Sequence, residues 1–315
     1  MSNPFHTDAA MTEPRLAYRT ACGCALGRRR FAGALLTSAV TGAGACLTGF
    51  VGPAAAQPDG VRGDVGNESK FAKLVPAEQV EAAAAQQYLQ MRREASQQKA
   101  LAPPEHPQLV RLRAIADRII PFTAQWNPRA TKWKWEVSLI GSRELNAFCM
   151  PGGKIAFYYG ILQQLQLNDD EVAMIMGHET AHALREHARE RMGKTAFTRI
   201  GAGVLSALLG LGQTGDALLN MGGQLLTLKF SREDESEADI VGMDLAARAG
   251  YDPRAGVSLW KKMIDASKGA PPQFLSSHPS GPSRIRDIEA KLPKVMPLYA
   301  GAAKPGTTFG PPAKG

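Results

Sequence analysis

Residues 178–182 read His178-Glu179-Thr180-Ala181-His182, the pattern H-E-x-x-H. On a helix, positions i and i+4 share a face about one turn apart, so both imidazoles can meet a single metal ion. Glu179 falls about 100° round the same turn, beside such an ion rather than beneath it, where a general base for a metal-held water must stand. The chemistry within reach is hydrolysis at a bound zinc. A helical site of this kind needs a third protein ligand and leaves a fourth position for water.

The run Ser231-Arg232-Glu233-Asp234-Glu235-Ser236-Glu237-Ala238-Asp239 opens a second helix. Ser231 is a candidate N-cap, and Glu233, Asp234 and Glu235 suit the positive end of the helix dipole. Glu235 and Asp239 share a face, so Glu235 can reach the metal while Asp239 accepts the free N–H of a ligand histidine. Glu237 is the competing ligand candidate. It lies about 200° round from Glu235, so both cannot face one ion. His187 follows His182 by five positions and points away from the ligand face of a continuous helix, which leaves it at the surface or behind a ligand. His278 lies in a Pro-flanked loop.

H-E-x-x-H followed by S-R-x-x-E-x-E-A-D resembles the zinc endopeptidases related to HtpX, BepA and the CaaX prenyl protease. Asn146-Ala147-Phe148-Cys149-Met150-Pro151-Gly152-Gly153-Lys154-Ile155 is similar to that family's N-A-F-x-x-P-G-G-x-I segment, and Ser277-His278-Pro279-Ser280 through Arg284-Ile285 to its H-P-x-x-x-x-R-I segment. The resemblance spans Leu109 to Leu292. It implies one Zn2+ per chain, with His178, His182 and Glu235 as ligands, Glu179 as base and Asp239 behind a ligand. It also places His278 near the zinc, either stabilising the tetrahedral intermediate or filling the open coordination position. In the second case His278 would be autoinhibitory. Arg284 is a further candidate to help stabilise the oxyanion. The implied substrates are unfolded or misassembled envelope proteins. A chaperone or assembly factor with secondary or no proteolysis is the alternative.

The fold expected around these residues is α+β and mainly helical: a zincin-type domain with a small antiparallel sheet and an H-E-x-x-H active helix. Asn168 and Glu171 have capping-box spacing, and Val172, Ile175 and Met176 continue as an apolar stripe. Gly177 allows a neighbour close approach. Pro76 opens a helix to about Gln98, and a second runs from Pro107 to Ile120. Trp133, Trp135, Val137 and Leu139 alternate with polar residues as a half-buried strand. Extended pieces near Leu145–Met150 and at Lys154–Tyr158 complete the sheet. Lys154–Tyr158 is the candidate edge that an extended peptide substrate would join. Asp252 and Pro253 read as N-cap and first residue of a further helix, and Arg284 to Leu292 as the closing one.

The chain divides into an export signal (1–56), a flexible lead-in with an N-terminal helix (57–104), the zinc peptidase domain (105–293) and a disordered Pro/Gly-rich tail (294–315). Arg28-Arg29-Arg30-Phe31 precedes a largely apolar run to Val51 and then Pro53-Ala54-Ala55-Ala56-Gln57, the layout of a cleavable secretory leader. The R-R-x-F pattern admits twin-arginine export as well as the general secretory route. Both lead to a periplasmic location. Five arginines against two acidic residues place +3 of the chain's net +8 in that leader. The remaining excess is spread out and suits loose attraction to an anionic surface. With no basic stripe interleaved with aromatics, nucleic acid is not an expected partner. Three of the four cysteines fall in the leader, which leaves Cys149 alone beside the site and no disulfide framework. Ile200–Leu228 is apolar but broken by glycines, and neither half reaches the roughly 20 residues of a membrane span. It reads as a buried hairpin over the site, or as a hairpin that meets a membrane surface or assembly machinery.

Overall fold

The structure is a computed structural model that describes residues 59–200, 225, 228–267, 273–278 and 282–313. The expected export signal and nearly all of Ile200–Leu228 lie outside the described residues. Helices α1 (Ala77–Gln97), α2 (Pro107–Ile119), α3 (Tyr159–Gln164), α4 (Asp169–Leu184) and α5 (His187–Ile200) come first. α6 (Arg232–Arg248), α7 (Ala255–Ala266), α8 (Gln273–Ser277) and α9 (Pro282–Gly301) follow. Strands β1 (Glu136–Ile140), β2 (Ala147–Met150) and β3 (Lys154–Tyr158) form one sheet. No helix among the described residues is long and apolar enough to cross a membrane.

The sheet corrects two expectations. Its order is β1-β3-β2, so Lys154–Tyr158 is the central strand and not an edge. It is mixed, not antiparallel throughout: β3 runs antiparallel to β2 but parallel to β1. The tight turn at Pro151-Gly152-Gly153, with both glycines at positive φ, folds β3 back on β2 as a hairpin. The chain between β1 and β2 then crosses over, and β1 falls on the far side of β3. Trp133 and Trp135 precede the strand but still pack against the core. β2 is the outer strand next to α4.

Every side chain of α4 from Glu171 to Leu184 is buried, so this is a central helix and not a surface helix with one apolar stripe. Its start obeys local rules. The Asn168 side chain accepts from the Glu171 N–H (2.9 Å), and the Glu171 carboxylate accepts from the Asn168 N–H (2.9 Å). The same reciprocal cap joins Ser231 and Asp234 at the head of α6. α4 and α6 touch backbone to backbone. A Cβ on Gly177 would lie 2.6 Å from the Gly242 carbonyl oxygen, and one on Gly242 would lie 2.6 Å from the His178 nitrogen. Gly242 is two helical turns past Glu235 on the same face, so this contact sets how far the acidic end of α6 stands from the histidines.

Gly242→Ala therefore meets backbone that cannot rotate away. Alanine's higher helix propensity, about 1 kcal/mol, offsets only part of an overpacking cost of about 1–3 kcal/mol. The expected result is net loss of stability in a urea titration together with weaker metal uptake. Unchanged values in both measurements would contradict the close approach.

The two ends of the described chain also differ from expectation. Val61, in the supposed lead-in, is fully buried, and Asp64 holds Lys291 at 2.9 Å and Lys294 at 2.5 Å. α1 lies on the sheet, where the Tyr88 hydroxyl reaches Ser138 Oγ (2.9 Å) and the Ile155 carbonyl (2.8 Å). α9 continues through Pro293 and Pro297 to Gly301, beyond the Leu292 end that its proline content suggests. The segment read as a disordered tail then binds back on the domain. The Phe309 and Gly310 N–H groups donate to Asp169 (2.8 and 3.2 Å), and Gln166 donates to the Pro312 carbonyl (3.1 Å). α7 begins later than Asp252 and Pro253 suggest, with Arg254 as its N-cap. Asp252 instead accepts from the Arg254 N–H (2.9 Å).

Candidate active site and metal centre

α4 presents His178 and His182 with their Nε2 atoms 3.1 Å apart. The first turn of α6 brings Glu235, whose Oε1 lies 3.4 Å from His182 Nε2 and whose Oε2 lies 3.6 Å from His178 Nε2. His278 follows α8, held by its N–H on the Phe274 carbonyl (2.9 Å), and puts Nδ1 3.3 Å from His178 Nε2. One ligand atom from each of these four buried residues lies within 4.8 Å of all the others. Ligand atoms about 2.0–2.1 Å from a shared tetrahedral ion would stand about 3.3–3.4 Å apart, which matches these separations.

The proton positions on these side chains also suit a cation. His178 Nδ1 lies 3.0 Å from Asp239 Oδ1, a carboxylate that can only accept, so Nδ1 carries the proton and Nε2 is bare. Burial pushes His182 well below the usual imidazole range, which keeps it neutral with a lone pair to offer. Burial alone would raise Glu235, but the adjoining His182 and His278 imidazoles overcome it and hold the carboxylate ionised. Bare nitrogens of His178 and His182 thus converge 3.1 Å apart beside an ionised carboxylate, an arrangement that a shared cation relieves. The donor set suits a divalent metal.

Glu179 stands beside this group and 3 % exposed. Among the described residues its Oε1 has no hydrogen-bond partner; His278 Nε2 is 3.5 Å away. Burial raises its pKa, and His278 and His178 offset part of that rise. Burial lowers and Glu179 and Glu235 more than restore the pKa of His278, which lies between the two carboxylates. The Phe274 ring stacks on His278 at 4.5 Å and the Phe230 ring on His182 at 3.9 Å, fixing both imidazole planes. Cys149 is buried, and burial, with Glu179 adding to it, pushes its thiol far up, which agrees with a packing role.

Other readings shift. Glu237 does not face the ligand group: it binds Arg185 Nε (2.6 Å) and His187 Nε2 (3.1 Å). His187 lies behind His182, with its Nδ1 2.8 Å from His182 Nδ1. Arg284 is not placed for an oxyanion. It donates to Asp239 Oδ2 (2.6 Å), Asp239 Oδ1 (2.8 Å) and Glu235 Oε2 (2.7 Å), and its guanidinium lies 3.5 Å from the centre of the Trp260 ring. It ties Glu235 to Asp239, the partner of His178. The sequence carried no signal for this clamp beyond the presence of Arg284 in the downstream motif.

A cavity of about 610 Å³ opens on this group. Glu179, His182 and His278 form its floor, and Phe148, Tyr158 and Phe230 form apolar walls. β2 runs along one side from Ala147 to Met150.

Residues 108–292 match the profile of peptidase family M48. A mitochondrial metalloendopeptidase OMA1 of Schizosaccharomyces pombe is 38% identical over 203 residues, covering 62% of this chain and 56% of the relative. The OMA1 protein of Arabidopsis thaliana is 38% identical over 152 residues, 48% of this chain and 30% of its own length. A beta-barrel assembly-enhancing protease of Escherichia coli is 28% identical over 179 residues, 54% of this chain and 37% of its own. The similarity thus spans little more than half of these relatives at most.

Proposed function

This chain belongs to peptidase family M48, and on that premise we propose that it is a zinc-dependent endopeptidase acting on unfolded or misassembled proteins. The observation that carries the reading is the convergence of Glu235 and His278 on the His178–His182 pair, with Glu179 lining the cavity that opens beside them. Zinc is the divalent ion favoured by a buried set of imidazole and carboxylate donors. His178, His182 and Glu235 would hold it.

When bound, the ion supplies Lewis acidity, lowering the pKa of water from about 15.7 to about 7 and polarising the peptide carbonyl. Glu179 accepts the proton of the attacking water and passes it to the leaving amine. Burial raises its pKa, which strengthens it as a base. Arg284 and Asp239 keep Glu235 and His178 oriented. An extended substrate would run along β2, which replaces β3 in that role because β2 has the free edge. Main-chain pairing tolerates many side chains, in keeping with unfolded substrates. The leader composition supports export to an envelope compartment, and the relatives' names, one mitochondrial and one concerned with beta-barrel assembly, are compatible with work near a membrane.

The test is incubation of the purified protein with an unfolded model substrate, with and without a chelator. Chelator-sensitive cleavage restored by Zn2+ is the expected result. Zinc-loaded protein that binds the substrate but leaves it intact would favour the assembly-factor reading. His278 adds a prediction whose sign distinguishes its two roles. Since it sits at the fourth corner of the ligand group, His278→Ala is expected to raise basal proteolysis. A fall of about 10²–10³-fold would instead assign it to transition-state stabilisation.

A further inference from the structure

Of the two ligand histidines, only His178 has an acidic residue directly behind it. His182 has a histidine there. We propose that His187 and Glu237 form a proton-ordered relay that holds His182 in the tautomer able to bind metal. The inference deepens the metal reading above and rests on it.

A continuous helix would place His187 about 140° from His182. α4 stops at Arg185, and Glu186 takes a left-handed conformation (φ 58) that turns the chain sharply into α5. His187, the first residue of α5, is thereby brought back over His182. It is 1 % exposed, with Nδ1 2.8 Å from His182 Nδ1 and Nε2 3.1 Å from Glu237 Oε2. Glu237 is about 200° round α6 from Glu235, which is why it faces this second imidazole and not the metal.

The ordering follows from donor counting. Arg185 donates to Glu237 Oε1 (2.6 Å), and the carboxylate's other oxygen faces His187 Nε2. A carboxylate only accepts, so His187 carries its proton on Nε2 and leaves Nδ1 bare. The 2.8 Å contact then requires the proton to be on His182 Nδ1, which leaves His182 Nε2 free for the ion. The relay thus does for His182, through an intervening ring, what Asp239 does directly for His178. His187 and Glu237 are positioning residues.

Arg185 makes Glu237→Gln a directed test. A guanidinium has only donors, so the amide oxygen must turn to Arg185 and the amide NH2 to His187 Nε2. His187 then shifts its proton to Nδ1, and His182 must place its own on Nε2, the metal-binding atom. A change of one atom inverts the whole relay. The measurement is zinc affinity of the full chain by competition with a chromogenic chelator, alongside imidazole nitrogen NMR of the zinc-free protein to read the tautomers. Glu237→Gln and His187→Leu are expected to weaken zinc binding by about 10–100-fold. His187→Asn, whose amide oxygen can still accept from His182 Nδ1, should stay near the parent value. A merely structural role would not separate Asn from Leu or move the His187 proton from Nε2 to Nδ1. Parent-like zinc affinity in Glu237→Gln, with the His187 proton still on Nε2, overturns the relay alone. A parent chain that takes up no zinc overturns the metal reading and the relay together.

Discussion

Glu179→Gln is expected to lower peptide cleavage by about 10²–10⁴-fold, the usual contribution of a positioned general base, while zinc content stays at that of the parent. The amide has nearly the shape of the carboxylate but cannot take a proton from water. Glu179 is not one of the four residues whose ligand atoms converge, so its replacement should leave the ion in place. Its Oε1 has no hydrogen-bond partner among the described residues, so little else is broken by the change. The checks are turnover of an unfolded substrate and zinc stoichiometry on the same preparation. Undiminished cleavage at full occupancy would remove Glu179 from the mechanism. Lost zinc would mean that the residue supports the site and not only the reaction.

The second large effect concerns stability at the head of α4. Arg111, fully buried, donates to Asp169 Oδ1 (2.6 Å), Gln108 Oε1 (2.9 Å) and the Leu167 carbonyl (2.8 Å). Asp169 is the first residue of α4 and also receives the Phe309 and Gly310 N–H groups. One carboxylate therefore neutralises a buried guanidinium, favours the helix start and holds the C-terminal segment. Asp169→Ala leaves Arg111 charged and buried without its counter-ion, a change that costs about 3–5 kcal/mol in comparable pairs. Urea denaturation should show that loss. The double replacement Arg111→Met/Asp169→Ala should recover much of it, since apolar pairs of similar volume often replace buried ion pairs at little cost. A single-variant loss below about 1 kcal/mol would show that Arg111 finds another partner or solvent.

Much of the site was legible because its chemistry is local in sequence. The i, i+4 histidines, the glutamate between them, the capping box at Asn168 and the N-cap at Ser231 are set by spacing within one or two helical turns, and each stands where that spacing puts it. Glu235 and Asp239 were legible for the same reason, since they too are i and i+4 on one helix. Gly177 signalled a close neighbour, although not which one.

What the spacing could not determine depended on elements meeting in space. Strand order is a matter of which strands pair, and alternation along Lys154–Tyr158 is the same in a central strand as at an edge. Helix phase carries a side chain's direction only while the helix continues, so spacing left His187 at the surface or behind a ligand, and the left-handed turn at Glu186 decided for the second. Proline-rich composition at the C-terminus gave no hint that Asp169 would be waiting to bind its backbone. The amino-acid sequence by itself determined the candidate ligands, the candidate base and the helices that carry them. Only the tertiary structure decided that α4 and α6 meet at Gly177 and Gly242, which outer strand borders the cleft, and which partners set the proton on each histidine. Those outcomes arise from long-range packing and pairing, which residue spacing along one element does not encode.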